Sequence, residues 1–112
     1  MALRDPKLRT AAQAEKVASD YGIALPALAR AVGHRETDLQ QVPLAPNIKQ
    51  DLTILRSLWL DMRNVIATDD DLRVWLHERL PEGYRPIDIL VKDHDLKKFV
   101  DFVERITLGL YA

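Results

Sequence analysis

Trp75–Leu90, WLHERLPEGYRPIDIL, is the stretch whose reading decides the fold. Trp75 and Leu76 belong to a helix that Pro81 and Gly83 stop, because proline cannot continue it and glycine adopts positive φ without penalty. Pro86 then suits the first position of a new helix, where a missing N–H leaves nothing unpaired and φ is already near helical. Asp88 favours the N-terminus of that helix and Arg85 pairs with it locally, so Tyr84, Arg85 and Asp88 make a polar cluster at the bend. The stretch therefore reads as one helix ending, a rigid corner and another helix beginning.

Working outward, the chain reads as all-α. No two alternating runs flank an Asn-Gly or Asp-Gly turn, and there is no internal repeat. Downstream, Asp93 reads as the cap of a last helix whose apolar stripe is Leu96, Phe99, Val103, Ile106 and Leu110. Its other face carries Lys97, Lys98, Asp101, Glu104 and Arg105, and the chain runs out in apolar and aromatic residues. Upstream, Thr68 followed by Asp69, Asp70 and Asp71 is an N-cap with three carboxylates in the first turn. Consecutive helix positions point in different directions, so these aspartates read as capping and not as a metal site. Before them lies the longest helix, about Pro46 to Ala67, with Ile48, Leu52, Leu55, Trp59, Met62 and Ile66 at threes and fours. Ile54 and Leu60 fall off that stripe, which is either a second contact surface or ordinary exposure. The connection Val42–Asn47, VPLAPN, divides an N-terminal lobe, residues 1–45, from a C-terminal lobe, residues 46–112.

In the N-terminal lobe, Asp5-Pro6 opens a helix that runs to Tyr21 and stops at Gly22. Leu25–Val42 resembles a helix-turn-helix, with Ala29 four residues before Gly33, and Leu28, Val32 and Leu39 as apolar positions. His34 stands where that motif prefers an apolar residue, and Pro43 cuts the second helix short. Arg35, Thr37, Gln40 and Gln41 are the residues that would reach bases or phosphates. Glu36 and Asp38 beside them repel phosphates, so a three-helix scaffold that reads no DNA is the preferred reading of this lobe.

Composition narrows the chemistry. The 112 residues carry a formal net charge of −1, and neither lobe is a basic arm: six Lys/Arg face five Asp/Glu in residues 1–45, ten face twelve beyond. There are no cysteines, hence no thiolate nucleophile and no cysteine zinc site. His34, His77 and His94 show no ligand spacing, Ser19 and Ser57 sit inside expected helices, and no glycine-rich phosphate loop exists. The expectation is a cytoplasmic binding protein with no enzymatic activity, no metal, no cofactor, no small-molecule substrate and no membrane span.

Trp75-Leu76, then Gly83-x-x-Pro86-Ile87-Asp88-Ile89-Leu90, then an amphipathic helix with a late glycine at Gly109, resembles the toxin-binding domain of MbcA/ParS/Xre-type antitoxins. The resemblance covers roughly Leu52–Ala112. It implies a degenerate helix-turn-helix lobe packed with a helical toxin-binding lobe, and a type II antitoxin that binds a RES-domain toxin. Such toxins consume NAD or transfer ADP-ribose. Carried over by position, Gly83, Arg85, Pro86, Ile87 and Leu90 would shape the corner. Gly109, Leu110, Tyr111 and Ala112 would plug the toxin's active-site cleft, with Tyr111 as anchor. The resemblance also implies a homodimer or hetero-oligomer. The alternative reading is a helix-turn-helix transcriptional regulator, possible autorepressor of its own operon, with operator DNA as partner.

Overall fold

A computed structural model describes residues 6–41 and 44–108, with side chains from residue 13 onward. Among the described residues every regular element is helical. These elements are α1 (Pro6–Tyr21), α2 (Leu25–Ala31), α3 (Glu36–Gln40), α4 (Pro46–Arg63), α5 (Asp69–His77), α6 (Asp88–Val91) and α7 (Leu96–Thr107).

The long helix α4 is the axis of the fold. Ile48, Leu52, Leu55, Leu58, Trp59 and Met62 are buried along it, as the three-and-four spacing requires. α1, α5 and α7 pack on this face, while α2 packs on α1, α3 and α6. One apolar cluster runs from Ala14 to Val103, so residues from before and after the VPLAPN connection share a core. Off the stripe, Ile54 packs partly against that core and Leu60 is 62% exposed.

Tyr21 sits at the junction of three helices. Its ring meets Trp59 edge-on at 5.1 Å and Phe99 at 6.0 Å, and its hydroxyl donates to the Leu55 carbonyl at 2.6 Å. Burial, with Asp20 and Asp61 adding to it, holds the phenol well above its ordinary pKa, so it remains a donor. The end of α1 is closed from outside. Arg73 Nε donates to the Asp20 carbonyl at 2.9 Å, and His77 Nε2 lies 2.9 Å from the Tyr21 carbonyl, where it acts as donor.

Several boundaries differ from the expected ones. α4 ends at Arg63 instead of Ala67, because the following turn tightens, with Val65 N–H on the Met62 carbonyl at 3.0 Å. The Arg63 guanidinium takes the freed carbonyls of Ile66 and Ala67 as well as the Asp69 carboxylate. α7 is capped by Asp95, whose carboxylate accepts the Lys98 N–H at 2.9 Å; Asp93 instead accepts from the Lys98 ammonium. The expected cap at Asp5, and Val42, Pro43 and Leu110, lie outside the residues whose placement or side chains are described.

Candidate functional site

The corner is built by hydrogen bonds that close on one another. α5 stops at His77, earlier than Pro81 and Gly83 would require, since Glu78 is already extended. Leu80–Tyr84 then makes a tight loop: Gly83 N–H donates to the Leu80 carbonyl and Leu80 N–H to the Tyr84 carbonyl, each at 2.8 Å. That pair of bonds is the one that closes a three-residue hairpin loop with a glycine bulge. Pro81 fits the second position of the turn, and Gly83 has φ +98, a left-handed conformation that a side chain resists. Arg79 Nη1 donates to the Gly83 carbonyl at 2.7 Å and ties the loop down.

The next helical turn begins at Arg85. Asp88 N–H donates to the Arg85 carbonyl at 2.9 Å and Ile89 N–H to the Pro86 carbonyl at 3.2 Å, so Pro86 does occupy the first turn although the regular helix α6 starts at Asp88. The Asp88 carboxylate reaches back to the Arg85 N–H at 3.1 Å. Its other oxygen takes Arg85 Nε at 3.1 Å and Nη2 at 2.7 Å. These bonds, above all those from Arg85, hold the Asp88 carboxyl below its usual range against the desolvation that would raise it, and raise the Arg85 pKa in turn. Ile87 N–H donates to the Leu76 carbonyl at 3.0 Å, joining the new turn to the helix before it.

Of the residues singled out for partner binding, Gly83 is exposed and Arg85 half-buried. Pro86 is buried, and Ile87 and Leu90 have no exposed surface. Pro86, Ile87 and Leu90 therefore shape the corner and offer no contact surface of their own. Gly109, Leu110, Tyr111 and Ala112 lie outside the described residues.

The other candidate residues, Arg35, Thr37, Gln40 and Gln41, are all exposed around α3. α3 is only five residues long, and Gly33 precedes it at φ +78 with open space where a Cβ would stand. Leu39 is buried beneath it. Asp38 accepts the Arg35 N–H at 3.1 Å and is only partly exposed, so it acts first as a cap. His34 faces Asn47 at 3.5 Å, while His77 closes α1 and His94 is exposed, the one non-glycine residue at positive φ among those described.

The Asp69–Asp71 run diverges as expected for capping: Thr68 Oγ1 accepts the Asp71 N–H at 3.0 Å, and Asp70 pairs with Arg73. Asp69 does more than capping implies. It accepts Trp59 Nε1 at 3.0 Å and the Arg63 guanidinium, bonds that hold its carboxyl below the usual range. Sequence reading missed this role, and an aspartate ten residues beyond a buried tryptophan gives no periodic signal.

The accessible part of the corner is a furrow between the 79–84 loop and α7. Trp75, Leu80, Pro81, Glu82, Phe102 and Ile106 line it. Trp75 and Phe102 stack at 6.0 Å. A separate hollow has Arg79, Lys92, Asp93 and Lys98 around Tyr84 and Asp88. No family model, curated protein or solved structure matches this chain.

Proposed function

We propose that this chain is the antitoxin of a type II toxin–antitoxin system. It binds a RES-domain toxin that consumes NAD or transfers ADP-ribose, and it blocks the toxin's active-site cleft with Gly109–Ala112. The observation that supports the reading is the corner itself. The residues that carry the resemblance form a tightly bonded unit, with Ile87 and Leu90 in the core and the Arg85–Asp88 pair at its edge. Such a unit gives α7, and the residues that follow it, a fixed departure point, and a plug held at a fixed origin loses less entropy on binding. Inhibition would be steric, by removal of the space the dinucleotide needs.

In this reading the protein acts in the cytoplasm as a homodimer or within a hetero-oligomer with its toxin, and residues 1–45 form a degenerate helix-turn-helix lobe beside the toxin-binding lobe. The second reading, a DNA-binding regulator of its own operon, draws on the meeting of α2 and α3 across Gly33 over a buried Leu39. Arg35, Thr37, Gln40 and Gln41 would then face the operator. Against it stand the five-residue length of α3 and the carboxylates of Glu36 and Asp38.

Co-expression with an adjacently encoded RES-domain protein, followed by gel filtration and an assay of NAD consumption, tests the first reading. A stable complex with consumption suppressed is the expected result. Deleting residues 109–112 should restore NAD consumption while leaving the helical circular dichroism unchanged. Full inhibition by the shortened chain would sink the plugging mechanism. No complex, with a salt-sensitive shift of promoter DNA instead, would favour the regulator.

A further inference from the structure

The furrow beside α7 leaves apolar surface uncovered. Leu80, Pro81 and Ile106 line it together with the stacked Trp75 and Phe102, and it holds about 440 Å³. Trp75, Leu80 and Ile106 are only half-buried and Pro81 is exposed. The charged residue on it is Glu82, a single carboxylate that selects no oppositely charged partner surface. What fits such a hollow is a short apolar segment without charge.

The next residues along the chain meet that description. Ile106 lies two residues before Leu108, the C-cap of α7, so the chain leaves the helix beside the furrow. Gly109-Leu110-Tyr111-Ala112 follows, with no charged side chain. Gly109 stands directly after the cap, the position where glycine takes a left-handed φ and reverses the chain. The reach suffices: Leu108 to Phe102 is about 9 Å of helix, and three residues of extended chain cover about 10 Å. We infer that Leu110 and Tyr111 of the free chain fold back into its own furrow, Leu110 over Ile106 and the Tyr111 ring against Trp75 and Pro81. The segment is tethered at the furrow, so docking costs the ordering of a few residues and no loss of translational freedom. In the antitoxin reading the same residues are the plug, and the furrow is where the plug rests before a toxin takes it. The docking itself belongs to the free chain and does not depend on that reading.

Tryptophan fluorescence of the full chain against the chain shortened to residues 1–108 tests the proposal. Trp59 is 4% exposed and Trp75 half-buried, so a change in indole emission reports on Trp75. Shortening should shift the emission to the red and steepen acrylamide quenching, with the helical circular dichroism unchanged. Gly109→Val keeps every apolar side chain but resists the reversal, and should give the same shift. In the intact chain, nuclear Overhauser contacts should join the Tyr111 ring to the Trp75 indole, a measurement that needs no variant. Their absence overturns the proposal, as does a shortened chain that folds with unaltered emission and quenching. Quenching of the full chain that rises on dilution would also overturn it, and would place the segment in the furrow of a second copy. Toxin inhibition by a chain that shows none of these signals would overturn the docking alone and leave the antitoxin reading standing.

Discussion

Arg35-Glu36-Thr37-Asp38 and Arg85-Pro86-Ile87-Asp88 open two short helical turns with the same local device. In both, an aspartate carboxylate accepts the N–H of the arginine three residues earlier, at 3.1 Å. They part in the side chains. The Arg35 side chain is 85% exposed and reaches Asp38 only at 3.8 Å. The Arg85 side chain is 31% exposed, and its guanidinium grips a carboxylate that is only 9% exposed. The difference comes from what lies underneath: Ile87 and Leu90 are in the core, whereas Glu36, Thr37 and Gln40 face solvent. A single capping motif thus gives a solvated turn at α3 and a locked corner before α6. That contrast is why the corner, and not α3, is the better candidate for a surface that must hold its shape.

The strongest way to break the comparison is to remove each aspartate. Asp88→Ala leaves the Arg85 guanidinium half-buried without its partner and should lower unfolding stability by about 3 kcal/mol. Asp38→Ala removes an exposed cap and should lower it by about 1 kcal/mol. Equal losses in urea denaturation would show that the two turns are not mechanically different.

Acid should separate them as well. The folded pKa of Asp88 is depressed, so its stabilisation is complete above the ordinary carboxylate value of about 4 and disappears as pH falls through the folded value. Stability of the wild type should therefore decline more steeply below about pH 4 than that of Asp88→Asn. Parallel curves would remove Asp88 from the acid transition.

A smaller effect sharpens the loop geometry. Gly83→Ala should lower stability by about 1 kcal/mol from the positive φ alone, since a Cβ there meets nothing within 4 Å. A loss several times larger would mean that the loop is packed against something. The smallest effect is expected at Arg35→Ala, within about 0.5 kcal/mol for an exposed side chain. If the proposed antitoxin reading holds, this variant should also leave toxin binding unchanged while weakening any DNA binding. If it weakens both equally, the division of labour between the lobes is wrong.

Much of the fold was legible because its signals are local. Pro86 at the start of a turn, Thr68 as a cap, and the α4 stripe follow from spacings within two helical turns. Asp95 displaced Asp93 as the cap of α7 because both sit within two residues of each other and either can start a helix. His94 stands between them at a φ of +50, and it is the Asp95 carboxylate that accepts the Lys98 N–H. Of the candidate site, the corner's position was legible. Its accessibility was not, since Pro86, Ile87 and Leu90 look alike in sequence whether they face a partner or the core.

The sequence by itself determined that the chain is helical, where most helices begin, and that a rigid bend lies between Leu80 and Leu90. These depend on propensity, capping and periodicity, which act over a few residues. The tertiary structure alone decided that the Tyr21 hydroxyl meets a carbonyl 34 residues away and that His77 closes a helix 56 residues before it. It also decided that Asp69 receives the Trp59 indole, and that a furrow opens beside α7. Such contacts depend on how helices dock on α4, and docking is set by the packed shapes of many side chains at once.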